Sequence, residues 1–174
     1  PAHVPLIAFS NDRSVASSDV FVLGVLPEQS IDRTVGYAMA HGAKRFATIV
    51  PNGDYGRHAQ AALAARVAAG GGVLVATETY DRGNTSVISA AERLRAKGGF
   101  DTVLIADGAR LSAIAAGALK TAGAALPRLL GTELWSGEED VTKASALRGA
   151  WFSAVSDSRY GRFASSYKTR FGAQ

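Results

Sequence analysis

Short apolar runs alternate with amphipathic stretches along most of this chain. The apolar runs are nearly continuous in hydrophobicity, which is typical of parallel strands that are covered on both faces. Three consecutive glycines at 70–72 precede one run and Pro127 precedes another, as expected where a loop enters a strand. We predict five such strands, at residues 46–50, 73–79, 102–106, 129–131 and 150–155.

The stretches between these strands have the residue spacing of helices with one buried face. Ile31 and Val35, four positions apart, predict such a face on the first helix. Asp54 can cap the second helix, and either Asn84 or Thr85 can cap the third. We expect helices that begin near residues 27, 54, 84, 109 and 138, the fourth reaching about residue 122 and the fifth about residue 146.

Strands that alternate with helices across short loops indicate an α/β fold, a doubly wound parallel sheet in a three-layer domain. Ligands of such sheets bind beyond the carboxyl ends of the strands. The loops of functional interest are therefore residues 51–57, 80–84, 107–110 and 132–137.

The two ends of the chain fit this domain less well. Residues 6–10 and 20–25 have the pattern of strands, and residues 161–171 have the pattern of a short amphipathic helix. We interpret these segments as pieces of a second sheet whose partners are missing.

Composition excludes several classes of protein. The chain has 174 residues, a net charge of +4 and no cysteine, so disulfides, cysteine metal sites and a cysteine nucleophile are impossible. No apolar run approaches the roughly 18 residues that a membrane-spanning helix needs. The basic residues are scattered and no nucleic-acid-binding motif occurs, so the charge favours a solvated surface over a nucleic-acid partner.

No set of catalytic residues stands out. The three histidines are far apart, and neither a Gly-x-Ser-x-Gly elbow nor a Walker loop is present. Glu138, Glu139 and Asp140 resemble a metal site, but their position at a predicted helix start favours interaction with the helix dipole. We predict no catalytic residue, no metal and no cofactor, and we expect a protein that is not an enzyme.

Two of the loops carry side chains suited to binding a small molecule. Tyr55 follows the first strand, where its ring can stack on a ligand and its hydroxyl can donate a hydrogen bond; it can equally pack beneath the loop. Glu133 can hold an ammonium group and Trp135 can form a pocket wall. The alternative for these two is a capping carboxylate and a core tryptophan.

The order of these segments resembles the type I periplasmic binding proteins, in the branch of leucine/isoleucine/valine-binding, extracellular ligand-binding receptors. A proline-led strand ends in serine, and a later strand ends in an Asp-Tyr-Gly loop that opens a helix. No single motif is specific, but their ordered co-occurrence covers nearly the whole chain. The segments that carry the resemblance are residues 5–10, 46–57, 71–73, 78–80, 130–132, 147–152 and 163–172.

The resemblance implies a ligand site. Amino-acid-binding members use a Ser/Thr turn for the ligand carboxylate, and Ser10, Asn11 and Asp12 stand there. Tyr55 matches the loop tyrosine and Glu133 the acidic residue that holds the ligand ammonium, while Trp135 follows in the same turn. The sequence departs from the pattern twice, because Asp107 stands where a second tyrosine is expected and Asp12 stands near the place of a threonine. A carboxylate at position 12 would repel a ligand carboxylate, which indicates a changed or abandoned ligand.

The resemblance also implies an architecture and a cellular role. Family members have two lobes of flavodoxin-like or Rossmann-like kind, so we assign residues 26–150 to lobe two and residues 1–25 and 151–174 to the hinge and lobe one. The implied function is a non-enzymatic periplasmic receptor that delivers an amino acid or similar solute to an ABC permease, with no membrane span and no nucleic-acid partner.

The segment Phe9–Asp12 and the pair Trp151–Phe152 resemble a sub-branch of penicillin-binding protein activators. The alternative is therefore a regulator of peptidoglycan synthesis that binds a penicillin-binding protein and has lost amino-acid binding. In either case the full protein can carry a lipoprotein anchor.

Overall fold

A computed structural model describes residues 4–120, 125–154 and 156–172. The strands are β1 (Leu6–Ala8), β2 (Val20–Val22), β3 (Arg45–Pro51), β4 (Val73–Tyr80), β5 (Thr102–Ile105) and β6 (Arg128–Leu130). The helices are α1 (Pro27–Ala40), α2 (Asp54–Ala69), α3 (Asn84–Lys97), α4 (Ala109–Leu119), α5 (Asp140–Lys143) and α6 (Asp157–Phe171). Three 3₁₀ turns complete the order, at Arg13–Val15, Glu133–Trp135 and Ser145–Leu147.

Four strands form a parallel sheet in the order β4-β3-β5-β6. The chain moves outward from β3 to β4, returns past β3 to β5 and continues to β6, so the helices fall on both faces of the sheet. The doubly wound, three-layer α/β fold predicted from the sequence is confirmed.

The alternation of side chains along β3 builds two separate cores. Phe46 and Val50 point to the face covered by α1 and α2, whereas Ala47 and Ile49 point to the face covered by α3 and α4. All four side chains are buried, which explains why the strand reads as a continuous apolar run.

The predicted strand at 150–155 is largely wrong. Only Trp151 pairs with the sheet, through a single parallel bridge to Leu130. Beyond it the hydroxyl of Ser153 lies 2.7 Å from that of Thr34 on α1, and the ring of Phe152 packs against Trp135, so side-chain contacts hold this segment off the sheet edge. Residue 155 lies outside the described residues.

Three predicted helices differ from the structure in their bounds. The helix expected at 138–146 divides into α5 and a 3₁₀ turn, because Ala144 adopts an extended conformation. The helix α4 ends at Leu119, where Lys120 is extended, and residues 121–124 lie outside the described part of the chain. At the C-terminus α6 begins at Asp157, four residues before the expected start.

The predicted caps are also wrong, since a glycine stands at the N-cap of both α2 and α3. Asp54 is instead the first residue of α2 and pairs with Arg57, and the Asn84 side chain accepts a hydrogen bond from Arg110. Asp54 therefore makes a contact within its own helix, whereas Asn84 links the start of α3 to α4.

The elements at the two ends of the chain lie outside the four-stranded sheet. Strands β1 and β2 pair with each other in parallel, outside the main sheet. Leu6, Ile7 and Phe21 on these strands are exposed, and Phe9, just beyond β1, is 86% exposed. The helix α6 likewise exposes Phe163, Tyr167 and Phe171 along one side.

Candidate functional site

The loops after the four sheet strands meet at one edge of the sheet, where parallel strands bring their carboxyl ends together. The backbone N–H of Asn52 donates to the carbonyl of Tyr80 at 2.8 Å, which joins the first two loops. The hydroxyl of Tyr80 donates to Asp107 at 2.5 Å, which joins the second loop to the third. The edge is thus a connected polar surface above the buried sheet.

Tyr55 owes its position to the glycine that follows it. A Cβ on Gly56 would lie 1.8 Å from the carbonyl oxygen of Pro51, so only glycine lets the first turn of α2 approach the end of β3 this closely. The Tyr55 hydroxyl then reaches the loop after β6, 2.9 Å from Oγ1 of Thr132 and 3.0 Å from Oε1 of Glu133. Burial raises the pKa of Tyr55 above its usual value, so the hydroxyl remains a hydrogen-bond donor.

Glu133 is half-buried on the 3₁₀ turn after β6. Burial raises its pKa, and the negative charge of Glu28 acts in the same direction; hydrogen bonds from its own backbone and from Tyr55, with the nearby Ser30 hydroxyl, oppose the rise. Its Oε1 accepts from Tyr55, while its buried Oε2 has no hydrogen-bond partner among the described residues. One carboxylate oxygen is therefore available to another group.

Asp107 is already fully engaged within the protein. Its side chain accepts hydrogen bonds from Tyr80, from the Nε of Arg82 at 3.1 Å and from the backbone N–H of Gly108 at 2.8 Å. Its side chain is only 10% exposed. The Asp107 side chain therefore ties the loop of Tyr80 and Arg82 to its own loop.

Trp135 lies beneath the edge and forms no surface wall, which decides the alternative in favour of a core tryptophan. Its residue is 1% exposed, and its Nε1 donates to the carbonyl oxygen of Asp107 at 2.9 Å. The ring lies so close to Gly131 that a Cβ there would approach it to 2.3 Å. Trp135 therefore fixes the position of the loop that carries Glu133.

The turn at Ser10, Asn11 and Asp12 is held by hydrogen bonds within itself. Asp12 caps the 3₁₀ turn by accepting from the backbone N–H of Ser14 at 2.8 Å, and its own N–H donates to Ser10 Oγ at 3.0 Å. The bond from Ser14 lowers the pKa of Asp12. Within the described residues no hydrogen bond or ion pair joins this turn to Tyr55 or Glu133.

A cavity of about 500 Å³ opens beside Glu133. It lies between the first half of α1, the 3₁₀ turn of Glu133, and the two connections at Val25 and Ser153–Ala154. The buried Ser30 lines its wall. The cavity thus adjoins both points where the chain enters and leaves the sheet domain.

The loops singled out in the sequence meet at this edge, but several of the side chains that interact there were not named. Thr132 and Tyr80 stand within segments that carried the family resemblance, so the signal for them was present. Arg82 lies in the loop at residues 80–84, but nothing in the sequence distinguishes it from other arginines. Ser30 and Glu28 lie on α1, which no loop pattern indicates, because only the packing of α1 brings them to Glu133.

The described residues hold neither a metal-binding cluster nor a membrane-spanning helix. In residues 4–120, 125–154 and 156–172, no three histidine or acidic side chains come together in a way that could hold a metal ion. Over the same ranges, no helix has the length and apolar character needed to cross a bilayer.

A parallel α/β domain with a polar site at the carboxyl edge of its sheet is the form of a small-molecule-binding lobe. The model of the periplasmic binding protein family matches residues 1–174, and the chain belongs to this family. No curated protein sequence matches the chain.

Solved structures share the fold. An extracellular ligand-binding receptor from Rhodopseudomonas palustris HaA2 is similar with a TM-score of 0.73 and 22% identity, over 99% of this chain and 53% of that one. A protein assigned as a branched-chain amino acid ABC transporter from Rhodospirillum rubrum is similar with a TM-score of 0.74 and 19% identity, over 98% of this chain and 51% of that one. A solute-binding protein of an R. palustris ABC transporter, solved with 4-hydroxybenzoate, has a TM-score of 0.59 and 22% identity, over 75% and 37%. The chain spans about half the length of the first two proteins.

Proposed function

We propose that this chain is part of a non-enzymatic solute-binding receptor that serves an ABC importer from the periplasm. The observation that carries the proposal is the cluster of Tyr55, Thr132 and Glu133 at the carboxyl edge of the sheet, in a chain that belongs to the periplasmic binding protein family. The hydroxyl of Tyr55 holds the carboxylate of Glu133 in place before any ligand arrives, which reduces the entropic cost of binding.

The division of the chain into lobes is part of the same proposal. Residues 26–150 form lobe two, and residues 1–25 and 151–174 form the hinge and part of lobe one. The separate pairing of β1 with β2 and the exposed apolar side of α6 support this division. The division is also supported by the length of the chain, which covers only about half of each similar solved structure.

The solute is a small polar molecule, an amino acid or a similar compound, that is enclosed when two lobes close. Tyr55 holds Glu133 in place through its hydroxyl, and Oε2 of Glu133 supplies an acceptor that favours a positively charged group. Asp12 lies at the turn where amino-acid-binding members receive a carboxylate, and its negative charge weighs against an ordinary α-carboxylate there.

The proposal is tested by calorimetric titration of the full-length gene product with a panel of amino acids, amines and aromatic carboxylates. At least one solute is expected to bind and to raise the melting temperature. Tyr55→Phe should weaken binding about tenfold, since one hydrogen bond is lost. Tyr37→Phe removes a hydroxyl from an exposed tyrosine on α1 and serves as the matched control, with no effect on affinity.

An absence of binding by every solute would overturn the proposal. If the protein then co-purified with a penicillin-binding protein, the activator-like alternative of the sequence analysis would take its place. Equal loss of affinity in both tyrosine variants would show that the site is not at Tyr55.

A further inference from the structure

Arg82 lies at the carboxyl edge of the sheet, in the loop after β4, and a buried carboxylate holds its guanidinium. Its Nε donates to Oδ2 of Asp107 at 3.1 Å. Asp107 is buried, whereas the Arg82 side chain is 55% exposed. The guanidinium is therefore anchored through one nitrogen and still accessible to solvent.

The anchor of Arg82 is itself fixed by two further donors. The hydroxyl of the buried Tyr80 donates to Oδ2 of Asp107 at 2.5 Å, and the backbone N–H of Gly108 donates to its Oδ1 at 2.8 Å. The guanidinium is consequently held from the buried side of the edge. A side chain that is held in this way loses less conformational freedom when it binds a ligand.

Most of the hydrogen-bonding capacity of Arg82 is unused. A guanidinium has several N–H donors, and the ion pair with Asp107 uses only the one on Nε. Neither Nη atom of Arg82 has a hydrogen-bond partner among the residues that the structure describes. The two Nη atoms form a planar fork that matches the two oxygens of a carboxylate.

This network adjoins the residues of the proposed solute site. Burial is the main reason that the pKa of Tyr55 is raised, and the negative charge of Asp107 acts in the same direction. Burial and the hydrogen bond to Asp107 likewise raise the pKa of Tyr80, and the positive charge of Arg82 opposes that rise. Asp107 and Arg82 thus act in the same part of the edge as the Tyr55 hydroxyl, which donates to Glu133.

Charge compensation explains only part of this arrangement. A buried carboxylate needs a positive partner, and Arg82 is such a partner for Asp107. Arg93 neutralises the buried Glu78 in the same way, but it also uses an Nη atom, which donates to the carbonyl oxygen of Thr79 at 3.0 Å. Arg82 makes no such second contact within the described part of the chain, so its fork remains open to another group.

We propose that Arg82 receives the carboxylate of the solute on its free Nη atoms, so that the receptor takes solutes that carry a carboxylate. This inference rests on the proposed solute-binding function and adds to it a class of solute and a binding residue. It places the carboxylate in the loop after β4 and not at the turn of residues 10–12, where the negative charge of Asp12 opposes a second carboxylate. Asp107 is a positioning residue, because it acts through Arg82.

The test compares carboxylates with their decarboxylated analogues by calorimetric titration of the full-length gene product. The pairs are L-leucine with 3-methylbutylamine, L-phenylalanine with 2-phenylethylamine, and 4-hydroxybenzoate with phenol. At least one carboxylate is expected to bind tenfold or more tightly than its analogue. Arg82→Gln should reduce that preference about tenfold, because a charge-assisted pair is lost. Arg82→Lys should keep part of it, since lysine retains the charge but not the fork.

Arg57→Gln is the matched control, since it removes the same charge from an exposed arginine of the same edge that also pairs with an aspartate, Asp54. It should change the preference less than twofold. Melting temperatures show whether each variant folds, and Arg82→Lys keeps the test decisive if Arg82→Gln does not fold. A purely structural role of Arg82 would weaken both members of a pair equally, whereas the proposed role weakens the carboxylate alone.

The outcomes separate this inference from the proposed function. Binding of amines or neutral solutes in place of carboxylates would overturn the role of Arg82 and leave the solute-binding function intact, whereas failure of every solute would overturn both. A carboxylate preference that is unchanged in Arg82→Gln, or an equal loss for both members of each pair, would also contradict the inference.

Discussion

Among single residues, Glu133 couples the candidate site most directly to the stability of the fold. Burial of its carboxyl opposes ionisation, and the neighbouring charge of Glu28 adds to the effect, so its pKa is raised above the ordinary value of 4.5. The folded state then holds the proton more tightly than the unfolded state does. Stability must therefore fall as the pH rises from about the ordinary value through the raised pKa of the folded state.

Glu133→Gln should remove this dependence and keep the hydrogen bond from Tyr55. We expect the variant to melt at a higher temperature than the parent at pH 7.5, with the difference shrinking as the pH approaches the ordinary glutamate value of 4.5. Thermal melts at a series of pH values measure it. Glu139→Gln, on an exposed side chain paired with Lys143, is the control; a pH-independent effect of Glu133→Gln would contradict the expectation.

The pKa of Glu78 is shifted in the opposite direction from that of Glu133. Burial opposes its ionisation, but hydrogen bonds from Lys97 and Arg93 together outweigh burial and hold its pKa below the ordinary value of 4.5. Its side chain is 8% exposed, with Lys97 Nζ at 2.6 Å and Arg93 Nε at 2.7 Å. The stability that this pairing contributes is present above the unfolded-state pKa and is lost as the pH falls through the folded-state pKa.

Glu78→Gln should lower the free energy of unfolding by about 1.5 kcal/mol at pH 7, the usual contribution of a charge-assisted hydrogen bond. The difference from the parent should shrink on acidification below about pH 4.5, where the ordinary carboxyl takes up its proton. Urea unfolding at pH 7 and pH 3.5 measures both effects. Glu92→Gln, exposed on the helix α3 that carries Arg93 and Lys97, should cost little at either pH, and a similar loss there would count against the pairing.

At the scale of elements, close contacts decide how the carboxyl edge is built. Trp135 lies flat against Gly131, and its indole nitrogen binds the carbonyl of Asp107, so the loops after β5 and β6 are set at one fixed distance. Such tight packing in a buried region does not tolerate added volume.

Gly131→Ala should therefore destabilise the chain by about 1–3 kcal/mol through overpacking. Gly117→Ala is the matched control, because Gly117 lies within α4 with open space around it. There the substitution should stabilise the chain by about 0.5–1 kcal/mol through higher helix propensity. Chemical denaturation of both variants measures the two effects, and equal effects of the same sign would show that the Trp135 contact is not tight.

The hydrophobic pattern of the sequence predicts many of these elements. The continuous apolar runs predicted β3, β4, β5 and β6, because strands buried on both faces have no polar side to display. The run at 150–155 failed as a strand, since hydrophobicity alone does not reveal that Ser153 binds Thr34 on α1. The caps failed for a similar reason: glycines at the N-caps allow backbone geometry that a capping side chain does not supply.

The candidate site was predicted in part. Tyr55 and Glu133 were named from their loops, and the structure joins them at 3.0 Å. Trp135 and Asp107 were named from the same kind of loop, but hydrophobic packing and internal hydrogen bonds occupy them. The position of a residue in a loop is local information, whereas the partner of its side chain depends on which distant segments pack beside it.

At the scale of the whole molecule, the apolar surface of β1, β2 and α6 requires a cover. Phe163 is 64% exposed and Phe171 is 62% exposed, and the two lie eight residues apart on one side of α6. Extended apolar patches are uncommon on monomeric proteins and mark surfaces of contact. The proposed cover is the remainder of lobe one in the full-length protein.

The 174-residue chain by itself should bind a hydrophobic dye and self-associate, whereas the full-length gene product should not. Phe163→Ser with Phe171→Ser should reduce both effects in the short chain and lower the melting temperature of the full-length protein. Dye fluorescence, light scattering and thermal melts measure these changes. Ile88→Ser, on partly exposed α3, is the control, and an unchanged full-length melting temperature in the double variant would contradict a covered α6.

The sequence by itself determined the α/β class, the order of the elements and the loops that reach the carboxyl edge, because these depend on local hydrophobic period and on glycine and proline punctuation. The tertiary structure alone decided which side chains meet there. It placed Trp135 in the core, engaged Asp107 with Tyr80, and brought Ser30 of α1 beside Glu133. Contacts between residues a hundred positions apart depend on the packing of whole helices against the sheet, which no local pattern records.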